Sequence, residues 1–254
     1  MQSLERGPMR YVVAATLLQA VLLAACNRAP SIAPPEAAPT TNAAAGSTTP
    51  RAARPRAPER LVLAFGDSLY AGYGLAPGAS LPDAIQDRLR RGGVNATVVN
   101  AGVSGDTSAA GRQRLAFTLD NMTRKPDLVL LGLGGNDVLR QISPAETRAN
   151  MTAMLDVLKA RGIPVVLTGM RAPPNLGADY TAAFDSIWPD LAKRYDAALY
   201  PFVLEGVIGN PALMQADRVH PNATGAARIA DRVTPLLAPR LATAAPLGGG
   251  MPTM

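Results

Sequence analysis

Leu61-Val62-Leu63-Ala64-Phe65-Gly66 is an unbroken apolar run that ends at a glycine, with Asp67 and Ser68 directly behind it. So short a run, without polar alternation, suits a strand buried on both faces, as in a parallel sheet covered by helices. Working outward, Ser80 and Pro82 open a helix that carries Leu81, Ile85 and Leu89 on one face and stops at Gly92-Gly93. A second strand is expected over 94–100, a helix over 109–122 and a strand over 128–131. Ser143-Pro144-Ala145-Glu146 then reads as a capping box with proline at the first helical position; its helix runs along Met151, Leu155 and Leu158 to Gly162. Strands over 164–168 and 198–202 flank a helix over 179–196. Asn222 caps a final helix with Ile229, Val233 and Leu236 inward. Five strands alternating with five helices predict a three-layer α/β/α sandwich around a five-stranded parallel sheet.

The chain has 254 residues, room for one ordinary domain with appendages. Its single cysteine excludes a disulfide framework, an iron–sulfur cluster and a cysteine zinc site, and its single histidine excludes a multi-histidine metal centre. The formal charge of +6 is partly an N-terminal property: from Arg60 onward 19 basic residues face 16 acidic ones. With 11 aromatic residues and no basic stripe, nucleic-acid binding is not expected.

Arg6 and Arg10 precede an apolar run over 11–25 that is too short to span a bilayer comfortably and ends in small residues, so 1–25 read as a secretory signal. Leu23-Ala24-Ala25-Cys26 resembles the bacterial lipobox. That resemblance implies a lipidated Cys26 as the mature N-terminus and, with Asn27 rather than Asp behind it, an outer-membrane anchor facing the periplasm. Residues 26–59 are rich in alanine and proline with few large apolar side chains, and are expected to be a disordered tether. The folded domain is placed at 60–240 and a disordered tail at 241–254.

In such folds ligands bind beyond the carboxyl ends of the strands. The polar, glycine-rich segments fall there: Gly66-Asp67-Ser68-Leu69, 100–107, Gly134-Gly135-Asn136-Asp137 and Asp217-Arg218-Val219-His220-Pro221-Asn222. No G-x-S-x-G elbow, P-loop or strand-linked G-x-G-x-x-G occurs. Acyl transfer needs a nucleophile, a base that later acts as acid, a group that orients the base, and donors for the oxyanion. His220 is the only imidazole, and Asp217 lies three residues before it, close enough to hold one ring nitrogen. The residues alone leave Ser68, Ser104 and Ser108 open as nucleophiles.

The four segments, in order, resemble the signature blocks of the SGNH (GDSL) hydrolases, most of all the secreted thioesterase, arylesterase and lysophospholipase group. The resemblance implies a flavodoxin-like strand order 2-1-3-4-5, with Ser68 as nucleophile, His220 as base and Asp217 as its orienting partner. It assigns the oxyanion donors to the Ser68 and Gly105 backbone N–H groups and the Asn136 amide. It implies a monomer that hydrolyses aryl or short-to-medium acyl esters, thioesters or lysophospholipids without cofactor or metal. A carbohydrate O-acetyl esterase and a non-catalytic adaptor are the alternatives. By the same resemblance Val138, Leu139, Ile142, Ala172 and Leu176 border the acyl pocket, while Gly132 stands where similar thioesterases tend to carry an acidic residue. Asp67 and Asp137 are expected to fix loops, and Arg171, near the end of the fourth strand, to be a solvated surface residue rather than one that greets an acidic headgroup.

Overall fold

The computed structural model describes residues 57–243. β1 (Arg60–Gly66) lies mid-sheet and is buried along its whole length. α1 (Ser68–Ala71) follows it at once, then α2 (Leu81–Arg91), β2 (Ala96–Gly102), α3 (Ser108–Asp120), β3 (Leu128–Gly132), α4 (Gly135–Leu139), α5 (Pro144–Ala160) and β4 (Val165–Thr168). After a 3-10 turn at Pro174–Leu176 come α6 (Ala178–Asp185), α7 (Ile187–Tyr195), β5 (Ala198–Tyr200) and α8 (Ala223–Thr243). The strands pair in parallel in the order β2-β1-β3-β4-β5, the expected flavodoxin-like order.

Alternation along β1 divides the core between the two faces of the sheet. Val62 and Ala64 pack with Ile85 and Leu89 of α2 and Val233 and Leu237 of α8. Leu63 and Phe65 pack with Leu115 of α3, Leu155 of α5 and Trp188 of α7. Each fully buried Leu or Phe removes enough apolar surface from water to stabilise the fold by about 1.5–3 kcal/mol.

The helix starts follow their capping chemistry. Ser80 Oγ accepts from the Asp83 N–H at 3.3 Å while the Asp83 carboxylate accepts from the Ser80 N–H at 3.1 Å, a complete capping box. Ser143 Oγ accepts from the Glu146 N–H at 3.2 Å, and Asn222 Oδ1 accepts from the Gly225 N–H at 3.0 Å.

Several boundaries differ from the sequence reading. The helix expected over 179–196 breaks at Ser186, because Pro189 has no N–H to donate to the Asp185 carbonyl and its ring crowds that group. β5 ends at Tyr200 rather than 202. The inner stripe of α8 passes through Leu237 and Leu241, both fully buried, while Leu236 is only half-buried. α8 therefore crosses the boundary drawn at 240. At the other end, the Ala57 carbonyl accepts from Asn95 and the Glu59 carboxylate from Thr97, so the domain begins just before 60. Cys26, the signal at 1–25, most of the tether and residues 244–254 lie outside the described residues. No helix among the described residues is long and apolar enough to cross a membrane.

Candidate active site

β1, β2 and β3 end in register on three glycines, Gly66 opposite both Gly102 and Gly132. The absent side chains make room for Tyr70, whose ring lies where a Cβ on Gly66 or Gly132 would stand. Its hydroxyl pairs with Thr168 Oγ1 at 2.8 Å. Gly132 therefore has a packing reason: no acidic side chain fits there without moving Tyr70.

This packing fixes the turn that begins α1. Asp67 caps the helix, its Oδ1 accepting from the Leu69 N–H at 3.0 Å, and Ser68 is the first helical residue. The Asp67 carboxylate is buried, which pushes its pKa up to about 6 against the opposing pull of the Leu69 N–H. Asn100 ties the turn to β2 by donating to the Tyr70 carbonyl at 2.9 Å. Arg114 of α3 donates to the Gly66 carbonyl at 2.9 Å and to Asp106 Oδ2 at 2.6 Å, with its guanidinium 3.8 Å from the Phe65 ring centroid.

Asn136 rides on α4, which Gly134 admits through a backbone φ of +108°. Its Nδ2 donates one hydrogen to the Asp106 carbonyl at 3.0 Å. The neighbouring Asp137 is fully buried and accepts from the Ser108 N–H at 2.8 Å, the Ser108 hydroxyl at 2.5 Å and the Thr147 hydroxyl at 3.1 Å. Asp67 and Asp137 thus fix loops as expected. Ser108, buried and bonded in this way, cannot reach a substrate. Ser104 is exposed on its loop.

The other half of the site comes from the irregular chain before α8. Asp217 Oδ1 accepts from the N–H groups of Val219 at 2.9 Å and His220 at 3.0 Å. Its Oδ2 lies 2.7 Å from His220 Nδ1. Bonds from the His220 backbone and ring and from the Val219 backbone hold the Asp217 carboxyl down, at about 2. His220 Nε2 lies 2.9 Å from Ser68 Oγ. With Nδ1–H donated to the carboxylate, Nε2 is left to accept the serine proton.

Gln215 staples this loop. Its Nε2 donates to the Tyr73 carbonyl at 2.7 Å and the Pro221 carbonyl at 3.0 Å, and its backbone N–H to the His220 carbonyl at 2.8 Å. The Tyr73 ring rests against the imidazole, centroids 4.6 Å apart.

Ser68, Asn136 and His220 share the wall of one cavity of about 570 Å³. Of the residues read as bordering an acyl pocket, Val138, Leu139 and Ala172 line this cavity; Ile142 and Leu176 do not. The chain turns away after α4 through Gln141, at φ +53°, and the Ile142 carbonyl is held by the Tyr180 hydroxyl at 2.8 Å. Leu176 instead packs, half-buried, against the core cluster that includes Phe184 and Trp188. Arg171 is exposed, in keeping with its reading as a solvated residue, and also borders the cavity, as do Met170, Phe202 and Ile208. Met170 and Ile208 lie on segments without periodic pattern, and no sequence signal marks them. Gly105, at φ +87°, is outside the lining, one residue from the Asp106 carbonyl that Asn136 holds.

The chain is also similar to known proteins. The model of the GDSL-like lipase/acylhydrolase family matches residues 64–228. The chain is 40% identical over 186 residues to a protein named esterase TesA of Pseudomonas aeruginosa, covering 73% of this chain and 92% of that one. It is 39% identical over 178 residues to thioesterase 1/protease 1/lysophospholipase L1 of Escherichia coli K12, covering 70% and 83%. Among solved structures, AlinE4, described as an SGNH-hydrolase family esterase, superposes with a TM-score of 0.62 at 52% identity over 71% of this chain and 96% of that one.

Proposed function

The chain belongs to the GDSL-like lipase/acylhydrolase family and is a serine hydrolase of carboxylic esters, and from that premise we propose how its own residues carry the reaction. Ser68 Oγ attacks the ester carbonyl carbon as its proton passes to His220 Nε2. The carbonyl oxygen becomes an oxyanion held by the Ser68 and Gly105 N–H groups and the second Asn136 amide hydrogen. Collapse breaks the bond to the leaving group, which takes the proton from His220. Water then attacks the acyl-serine with its proton going to His220; the carboxylic acid departs as Ser68 Oγ regains that proton. Asp217 keeps the ring in the productive tautomer and stabilises the transient imidazolium.

The observation that carries this reading is the continuous path from Ser68 Oγ to His220 Nε2 to Asp217, at 2.9 and 2.7 Å, opening onto a cavity that Asn136 also lines. The cavity's wall of Val138, Leu139, Met170, Phe202 and Ile208 suits an acyl or aryl group better than a glycan-borne acetyl. Aryl esters, acyl thioesters and short-to-medium acyl esters are therefore the proposed substrates. Labelling with a fluorophosphonate and mapping the adduct by mass spectrometry tests the nucleophile: the label is expected on Ser68, and an adduct on another serine refutes the assignment.

The sequence at Leu23-Ala24-Ala25-Cys26 supports an enzyme tethered to the cell envelope through a diacylated Cys26, with the domain facing the periplasm. Intact mass of the native membrane form is expected to show a lipid-modified N-terminus at Cys26. An unmodified cysteine there rules the anchor out.

A further inference from the structure

Among the described residues, three that are not glycine have a positive φ: Gln141, Asp196 and Arg218. Arg218, at +59°, lies between Asp217 and His220. Left-handed backbone brings Cβ against the following carbonyl, so single residues in this state are usually glycine, asparagine or aspartate. The turn does need that conformation. The Arg218 N–H reaches the Gln215 carbonyl at 3.0 Å, after which the Val219 and His220 N–H groups both reach Asp217 Oδ1. Glycine would satisfy the turn without strain. What arginine adds is a side chain, and strain retained beside reacting groups points to a use for it.

That side chain is exposed, borders the cavity and makes no hydrogen bond or ion pair with any described residue. A second cation stands at the same cavity: Arg171, exposed, with its guanidinium 5.8 Å from the Phe202 ring centroid. The carboxylates nearby are already engaged. Asp67 is buried and accepts from the Leu69 N–H, Asp185 Oδ1 accepts from the Ala172 N–H at 2.8 Å, and Asp217 is held through both oxygens. Of the acidic and basic side chains that line the cavity, only the two guanidinium groups have no hydrogen-bond partner among the described residues.

We propose that Arg218, with Arg171 as a second cation, selects esters whose leaving group carries an anionic oxygen group, a phosphate or a carboxylate, close to the scissile bond. This rests on the reading of Ser68 and His220 given above. The departing oxygen must take its proton from His220 Nε2, so the leaving group passes over the loop that holds Arg218, while the acyl chain lies along the apolar wall. A guanidinium with no internal partner presents a planar fork of donors that matches either anion in bidentate fashion.

The test compares kcat/KM of the full chain for 1-octanoylglycerol and 1-octanoylglycerol 3-phosphate, each below its micelle-forming concentration. Octanoyl glycolate, with a carboxylate on the leaving group, separates the two sources of the anion. An aryl hexanoate and its counterpart with a carboxylate at the far end of the acyl chain move the charge to the other side. The native chain is expected to favour a leaving-group anion about tenfold at low salt, the size of one charge-assisted hydrogen bond at a partly exposed rim. That ratio should collapse toward unity in Arg218→Gly, which suits the left-handed backbone, survive in part in Arg218→Lys, invert in Arg218→Glu and shrink as ionic strength rises. No preference in the native chain, a preference that Arg218→Gly leaves intact, or a preference for the anion on the acyl side overturns the proposal. Ser68→Ala is run beside them on the neutral ester. Persistent turnover there would bring down the site reading itself, whereas its loss with an unmoved ratio in Arg218→Gly would bring down this inference alone.

Discussion

The turn after β1 and the loop before α8 deliver the two halves of one hydrogen-bonded path, yet their surroundings share little. Ser68 begins a helix whose strand is buried along its whole length, over three glycines that leave no space beside Tyr70. Asp217 and His220 stand on irregular backbone, with the Asp217 side chain 37% exposed. The first half is placed by packing, so displacing it means opening the core. The second is placed by hydrogen bonds, chiefly those of Gln215 and Asn222, so it can loosen while the core stays intact. Damage on the strand side should therefore register in stability, and damage on the loop side in rate.

The largest effect tests whether the halves form one unit. Ser68→Ala and His220→Ala are each expected to lower kcat by about 10⁴-fold or more, with the double variant scarcely worse, because either loss disables the same step. Losses that multiply, in variants shown to be folded, would separate the halves. Asn136→Ala comes next, at roughly a hundredfold to a thousandfold in kcat, or about 2.7–4 kcal/mol, with little change in KM. An effect confined to KM would mean that its amide serves binding rather than the developing oxyanion.

Asp67→Asn sharpens the comparison from the strand side. Burial raises the Asp67 pKa from 3.8 to about 6, so the folded state holds its proton more tightly than the unfolded chain does. Stability is then lost as pH climbs from about 4 to about 6 and the penalty is complete above that, on the order of 2–3 kcal/mol. Unfolding by urea at pH 4 and pH 7 should show Asp67→Asn escaping that decline, and parallel pH profiles for both proteins would contradict it. The smallest effect belongs to the loop: Gln215→Ala should lower kcat by roughly tenfold at a cost in stability of about 1 kcal/mol. A large fall in Tm instead would show that the loop is part of the core's support.

How much of this could be read in advance follows the same division. β1 and β3 announce themselves as apolar runs, and Ser80, Pro82 and Ser143 mark helix starts by chemistry that acts within a few residues. α1 and α4, which carry Ser68 and Asn136, were legible only as polar segments, because helices of four and five residues are too short for a periodicity. Pro189 signals the break at Ser186, but the apolar spacing continues through it and masks the signal. The places of Ile142 and Leu176 outside the cavity lining are not legible, because a lining is decided by where loops turn and the turn at Gln141 has no local signature. The path from Ser68 to Asp217 rests on likeness to a known family, and Arg114, which steadies it, bonds to a distant carbonyl that no spacing reveals.

The position of β1 in mid-sheet has a consequence for the chain during synthesis. β1 emerges early but gains its second neighbour only when β3 has followed, and parallel pairing across such separations forms slowly. His220 comes later still, just ahead of the helix that closes the sheet's far face. A chain still being made, or cut short before that point, carries its serine with no imidazole to take the proton. With Ser68 and His220 in the roles proposed for them, hydrolytic power arrives only with the last part of the domain, and translation order itself keeps incomplete molecules inert in the presence of esters.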